Sequence, residues 1–551
     1  MKFQYDVVVL GAGPNGLACA AYLARAGARV AVVERNVETG GGLVTQEMSG
    51  FRMNYHATYM MLAELMPPYS DFDLEQDGVR FIYPPVQVSF LFSGRKSFTL
   101  FTDPGQSAAS VAALSPADAE RYAGLRREVD ELCEKILIPA TYTPPVEPIE
   151  QVELFRTSGK LGERMADISE MSPLEYIESF GFSDPRLKAG LLYLSSMFGL
   201  DPEEGGMGFM APIYLSRLTH TALVRGGSHQ LSSVLRRRVE EADGDVIVAN
   251  GARQFVTDGA QVTGVELDDG TVLSARAVVS TLNPEQTFLK LLPQDKAPAE
   301  VREAARNYEW EKWSLFVANW GVLGDPPRYE GYPPQVDKSL IAVMGYETAD
   351  DVLAHIREIE RGDLSRIAGH ATVCSAHDPL MAPGHVTYGT PHALRWESWA
   401  PYDVPWESEK RRYAERAFQF WSGYAPNLKR MNVRISVAWS PRDIEAQLPT
   451  MKRGSIKHGA YTSLQMGYNR PFPECSGYRT PIPGLYVGGS SVHPGGMVIM
   501  GSGYNAARVV ADDLGLNIWW REPEAVARAR SSGYLPALET ATSSAPAEEL
   551  K

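Results

Sequence analysis

Six residues near the start, Gly11-Ala12-Gly13-Pro14-Asn15-Gly16, restrict what this chain can fold into. They spell G-x-G-x-x-G, and their context is as informative as their spacing. Val7, Val8, Val9 and Leu10 before them are a continuous apolar run, the pattern of a strand buried on both faces. Leu17, Ala20, Ala21, Leu23 and Ala24 after them recur at helical spacing in Ala-rich sequence. Gly27 ends that helix, Arg29 to Val33 reads as a second buried strand, and Glu34 closes it. Such a unit suits a dinucleotide. Gly11 permits the tight turn, Gly13 lets a pyrophosphate approach the backbone, and Gly16 lets helix and strand pack closely. The helix N-terminus offers unpaired N–H groups and a positive dipole end to phosphates. Glu34 can accept hydrogen bonds from an adenosine ribose, and its charge disfavours a 2′-phosphate. The competing reading is a βαβ unit whose glycines serve packing alone.

The rest of the chain bounds the partners. Its 551 residues are enough for two or three domains. A net charge of −14 argues against nucleic acid, because neutralising phosphates needs a basic face. No run of apolar residues is long enough for a transmembrane helix. The opening MKFQYDVVVL enters the first strand at once, so no secretory signal or transit peptide is expected. Cys19, Cys133, Cys374 and Cys475 are scattered without C-x-x-C or metal spacing. No metal is expected, and the location expected is cytoplasmic.

Just past Glu34 and Arg35, glycines recur at Gly40, Gly41 and Gly42. Glycines at this place let backbone lie against a cofactor, and they tilt the choice from NAD to FAD. Gly50 to Met61 then brings Tyr55, His56 and Tyr59 within one loop of the cofactor. Asp77 to Thr102 reads as short strands and is followed by capped helices, so an α+β unit is inserted in the nucleotide fold. The nucleotide pattern returns near Val224, and Asp258-Gly259 and Asp269-Gly270 mark hairpin turns. From Asn283 to about Arg470 the composition shifts to Trp, Tyr, Pro and His, with Trp310, Trp313, Trp320, Trp396, Trp399, Trp406, Trp421 and Trp439. A cavity for an apolar or ring-shaped substrate is expected there, beside a large aromatic core. Near the end, the strand LYVGG, the Gly-rich loop from Gly488 to Gly501 and the helix YNAARVVADDLG make a second cradle. Residues 522–551 lack periodicity and read as a mobile tail.

Together these segments resemble the phytoene-desaturase-like FAD oxidoreductases, and within them the branch called pyridine nucleotide-disulphide oxidoreductase domain-containing protein 2. GAGPNGLACAAYLARAG (11–27), ERNVETGGGLVTQE (34–47), RGGSHQLSSVL (225–235), VTGVELDDGTVLSARAVVST (262–281), GSIKHGA (454–460) and SGYRTPIPGLYVGGSSVHPGG (476–496) carry the likeness. It implies an α/β fold: a Rossmann-type FAD-binding domain of the glutathione-reductase-like, amine-oxidase or phytoene-desaturase type, with an inserted α+β substrate domain. The FAD domain is expected over 1–76, 215–290 and 471–521, and the substrate domain over 77–214 and 291–470. The family pattern puts the pyrophosphate on Gly11, Gly13 and Gly16 and the ribose on Glu34, with Pro14, Asn15 and Arg35 also expected at the cofactor. It puts the isoalloxazine edge near Gly41, Gly42 and Leu43, and the adenine on main chain from Arg253 to Val256. It puts the ribityl phosphate on Gly489, and the flavin ring against the loop with Met497, Val498 and Gly501. Carotenoid desaturases usually carry a basic residue where this chain has Gly42.

With one dinucleotide fingerprint and not two, the expected activity is that of a flavin oxidase or dehydrogenase. The sharpest expectation is desaturation of a C–C bond in a hydrophobic or cyclic substrate, next to a carbonyl that acidifies the α-proton. Oxygen or a quinone would then take the electrons. Candidate bases or donors are His56, His458, Tyr461, His493 and Tyr504. The rival readings are a carotenoid desaturase, an amine or amino-acid oxidase with Arg395 or Arg434 as a carboxylate clamp, and a non-enzymatic binding protein like the Rab escort and GDP-dissociation-inhibitor proteins. A homodimer is carried as an open expectation.

Overall fold

The computed structural model describes residues 3–384, 386 and 389–537, and two large sheets organise them. In the first, Tyr5–Leu10 is a strand, parallel to Val30–Val33 on one side and to the C-terminal half of Val272–Ser280 on the other. Asp245–Ile247 and Leu485–Val487 extend this parallel region at its two flanks. The N-terminal half of Val272–Ser280 leaves it to form an antiparallel meander with Gln261–Leu267 and Ala252–Asp258. Val7, Val8 and Val9 are 0% exposed, as expected of a strand covered on both faces. The helix Pro14–Arg25 packs on this sheet and against the helices His229–Glu241 and Gly501–Leu514. Both ends of the chain thus meet on one helix.

The second sheet runs Val433–Trp439, Trp313–Leu323, Pro391–Pro401, Gly369–Val373, Ile341–Met344, Val86–Leu91, Ser97–Phe101. All its pairs are antiparallel except that of Ile341–Met344 with Val86–Leu91. Side chains alternate between the faces of a strand, and here the alternation separates two environments. Phe316, Ala318, Trp320, Trp396, Ala400 and Ala371 share one cluster with Tyr413, Phe418 and Trp421 of the helix Trp406–Tyr424. Leu315, Val317, Arg395, Glu397, His370 and Thr372 take the opposite alternation. Trp320, Trp396, Trp406 and Trp421, half of the tryptophans noted in this region, are therefore core on the far side of this sheet.

The expectation of a mobile tail from residue 522 does not hold for 522–537. Glu524–Ser531 is a helix, and Val526, Ala529 and Leu535 are buried in the core of the nucleotide-binding sheet. Burying one face offsets the entropy of ordering the segment, which composition alone does not reveal. Residues 538–551 lie outside the described residues. No described helix is long and apolar enough to cross a membrane.

Candidate active site

The first loop is shaped by close contacts. Gly11 has φ +96°, and a Cβ there would meet Thr281 Oγ1 at 2.5 Å. A Cβ on Gly16 would lie 1.9 Å from the Gly11 carbonyl oxygen, so only glycine lets the helix sit this near the strand. Gly13 differs: no protein atom lies within 4 Å of where its Cβ would be. That space opens on the N-terminus of the helix Pro14–Arg25, which has no side-chain cap. The Glu34 carboxylate accepts the Ala12 N–H at 3.0 Å through Oε2 and the Asn36 N–H at 2.9 Å through Oε1. Each oxygen keeps a lone pair for a ribose hydroxyl. Gly41 folds back onto this loop, with φ +53° and its Cβ position 3.3 Å from Gly13 Cα.

The C-terminal cradle closes the same space. Asn15 Nδ2 donates to Ser490 Oγ at 3.3 Å, and Asn15 Oδ1 accepts the Gly503 N–H at 3.2 Å. Met497 and Val498 bend through φ +75° and +56°. Left-handed backbone at a β-branched residue is strained, and here it lines the cavity. Arg470, 0% exposed, donates to the carbonyls of Lys457, Ala460, Gln465 and Ser490, fastening the His458 loop to the Ser490 loop.

One cavity of about 640 Å³ joins these elements to the second sheet. At the nucleotide end its wall includes Gly11, Gly13, Pro14, Asn15, Gly16, Glu34, Arg35, Gly251, Ala252, Arg253 and Gly489. At the other end it includes His56, Thr58, Tyr59, Phe198, Leu315, Val317, Arg395, Glu397, Leu448, Ile456 and His458. Gly41, Gly42, Met497 and Val498 also line it. The room beside Gly13, the uncapped helix end and the acid at Glu34 fit FAD.

Three residues expected at the cofactor do not line the cavity. Leu43 is 0% exposed in the nucleotide-domain core. Val256 pairs with Gly264 inside the meander, and the wall is formed three residues earlier, at Gly251 to Arg253. Gly501 opens the last long helix, where a Cβ would meet Pro494 and the Thr141 carbonyl at 2.7 Å. The candidate bases divide likewise. His56 and His458 face the cavity, and desolvation lowers their pKa to about 3 and about 4, so both are neutral imidazoles. Tyr461 is structural: its hydroxyl accepts the Gly496 N–H at 2.9 Å. His493 donates through Nε2 to the Ala140 carbonyl at 3.0 Å. Tyr504 packs edge-on against Tyr22 and Tyr142. These three hold loops and core together.

Sequence reasoning named Arg395 only as a clamp and passed over Glu397. Their spacing carries a signal: i and i+2 in a strand share a face, and opposite charges in so apolar a run require each other. Arg395 is 2% exposed and donates to Glu397, to the Asn54 carbonyl at 2.6 Å and to the His56 carbonyl at 3.0 Å. That leaves it no free edge for a substrate carboxylate. Arg434 is exposed on an edge strand and donates to the Met431 carbonyl. Beside the pair, His370 Nδ1 and the Tyr193 hydroxyl share a hydrogen bond of 2.8 Å, and Tyr59 shares one of 2.6 Å with Thr372.

The model of the family described as flavin containing amine oxidoreductase matches residues 15–314. A limonene dehydrogenase subunit of Castellaniella defragrans is 41% identical over 97% of this chain and 99% of its own. Pyridine nucleotide-disulfide oxidoreductase domain-containing protein 2 of Rattus norvegicus is 28% identical over 93% of this chain and 94% of its own. Among solved structures, an oxidoreductase from Methanosarcina mazei has the same fold, with a TM-score of 0.58, 16% identity, and coverage of 92% of this chain and 99% of that one.

Proposed function

The chain belongs to the flavin-containing amine oxidoreductase family, and on that premise we propose that it dehydrogenates a neutral, cyclic, terpene-sized substrate at a C–H bond. The protein is a FAD-dependent oxidoreductase. Bound FAD supplies the two-electron acceptor for a hydride. Everything else is the chain's own contribution. One observation carries the choice of substrate: the far end of the cavity holds no unpaired charge among the described residues. Leu315, Val317, Phe198, Leu448 and Ile456 supply apolar walls. Arg395 and Glu397 neutralise one another, and His56 and His458 are uncharged. An ammonium or a carboxylate would be desolvated there without compensation, whereas a hydrocarbon ring gains by leaving water. The relative named for limonene supports this reading, since limonene is such a ring.

The same walls exclude water, and Tyr59, held by Thr372, gives the substrate a fixed aromatic surface. A carotenoid-length polyene is disfavoured by Gly42, which stands where carotenoid desaturases usually carry a basic residue. Desaturation next to a ketone is the finer form of the proposal, with oxygen or a quinone as acceptor. The limonene relative is named as a subunit, which supports association with a further chain. Cytoplasmic location rests on four free, buried cysteines.

Anaerobic mixing of the flavin-loaded protein with monocyclic terpenes, cyclic ketones, polyenes and amines tests the proposal. Bleaching of the flavin by the terpenes or ketones is expected. Bleaching by amines alone would replace it with the amine-oxidase reading. Admitting air or a quinone analogue to the reduced protein then identifies the acceptor, and light scattering gives the assembly.

A further inference from the structure

We propose that Glu397 is the catalytic base: it takes a proton from the substrate as hydride leaves the neighbouring carbon. This rests on the dehydrogenase reading above. Glu397 stands mid-strand in Pro391–Pro401, paired across the sheet with Val317 on one side and His370 on the other. Its backbone is therefore fixed by ladders on both sides. The side chain is 2% exposed and lines the cavity beside Leu315 and Val317. The two carboxylate oxygens are unlike. Oε1 accepts from the Arg395 guanidinium. Oε2 has no hydrogen-bond donor among the described residues: His370 Nε2 approaches only to 3.8 Å, beyond hydrogen-bonding range. A buried carboxylate oxygen with an unused lone pair is costly to the fold unless something takes it up.

Arg395 links this group to the cofactor loops. It donates at once to Glu397 and to the carbonyls of Asn54 and His56, and His56 Cβ lies 3.9 Å from the Cβ position of Gly42. One guanidinium thus sets the carboxylate relative to the segment that borders Gly42. The two imidazoles on the cavity wall are poorer candidates. Burial opposes protonating either ring, and the nearby Arg395 and Arg470 add to that opposition. At Glu397, Arg395 engages one oxygen and leaves the other to receive a proton.

The chemistry balances. One C–H bond breaks and its electron pair leaves with hydrogen as hydride, for which FAD is the oxidant. The adjacent C–H bond breaks, its electron pair becomes the new C=C bond, and its proton forms an O–H bond at Oε2. The substrate loses two hydrogens, and Glu397 is left protonated until solvent takes the proton when product leaves.

The test uses the flavin-loaded protein with Glu397→Gln and Glu397→Asp. With Gln, flavin content and substrate binding are expected to match wild type. Flavin reduction by substrate should slow by about 10²- to 10⁴-fold, the range for losing a general base. Asp keeps the charge facing Arg395 but withdraws the carboxylate by one methylene. It should hold flavin and reduce it at a rate between the other two. Reduction as fast as wild type in either flavin-loaded variant would overturn the assignment, and the Asp variant decides if Gln loses flavin. A second measurement needs no turnover: exchange of the α-hydrogens of a bound cyclic ketone in deuterated water, which should be fast in wild type and slow in Gln. If no ring compound reduces the wild-type flavin, the dehydrogenase reading fails, while the exchange assay still judges Glu397. Equal exchange in wild type and Gln rejects the base.

Discussion

The main chains of Asn15 and Gly503, 488 positions apart, are in contact: the Gly503 N–H reaches Asn15 Oδ1 at 3.2 Å, and a Cβ on Gly503 would sit 2.1 Å from the Asn15 carbonyl oxygen. Two helix N-termini are thereby held side by side over one cavity. Gly503→Ala must push them apart, and backbone cannot yield as a flexible side chain does. Overpacking costs about 1–3 kcal/mol in ordinary cores. A loss at or above the top of that range is expected in urea denaturation, together with weaker FAD retention on gel filtration.

Gly13 and Gly16 should respond in opposite ways. At Gly16 an added methyl would overlap the Gly11 carbonyl at 1.9 Å, so Gly16→Ala should leave little folded protein. Gly13 has φ −75° and ψ 177°, which alanine adopts readily, and open space beyond. Gly13→Ala should therefore leave apoprotein stability unchanged or raised by about 0.4–1 kcal/mol, while filling the place of the pyrophosphate and abolishing tight FAD binding. Melting of the apoprotein beside flavin titration separates the two effects.

Glu34 serves the fold as well as the cofactor. Glu34→Ala strips the acceptor from the N–H groups of Ala12 and Asn36. A buried orphaned donor costs about 1–3 kcal/mol. Apoprotein stability should fall by that order in chemical denaturation, in addition to the loss of FAD affinity. An unchanged apoprotein would mean that the carboxylate acts on the ribose alone.

Acid should destabilise the protein through buried neutral histidines. His370 is 1% exposed and His355 0% exposed. Burial lowers their pKa from 6.5 to about 4 and about 3. The unfolded chain then binds more protons between pH 6.5 and those values. Stability is full above 6.5 and falls as pH drops towards 4, by about 1.4 kcal/mol per pH unit for each such group. His355→Gln should flatten the slope of denaturation free energy against pH by about one proton. A slope unchanged by the substitution would count against a neutral His355.

The nucleotide cradle was legible because its determinants are local. Gly11, Gly13, Gly16 and Glu34 act within one strand–helix–strand unit, and the structure brings all four to the cavity. The family resemblance added Gly41, Gly489, Met497 and Val498, and these line the same cavity. Leu43, Val256 and Gly501, expected from the same resemblance, stand one to three residues from a lining position: Leu43 is buried in the core, Val256 pairs within the meander and Gly501 packs against Pro494. Tyr461, His493 and Tyr504 were named for their chemistry and sequence neighbourhood, yet each spends its polar atom on backbone or packs in the core. The tryptophans belong to the expected aromatic core and none lines the cavity among the described residues, because composition does not tell which face of a strand a ring will occupy.

By itself, then, the sequence determined a dinucleotide site, because that recognition is written in short-range spacing, where backbone conformation and one acid suffice; the glycines at 40–42 and the returning C-terminal loop turned the choice to FAD. The substrate end was decided only by tertiary structure. Tyr59, Phe198, Val317, Glu397 and His458 come from five distant segments: antiparallel pairing in the second sheet fixes the register of Val317 and Glu397 and alternation fixes their face, while Tyr59, Phe198 and His458 reach the cavity from segments outside that sheet. No local pattern encodes that convergence, since it depends on which strands become neighbours.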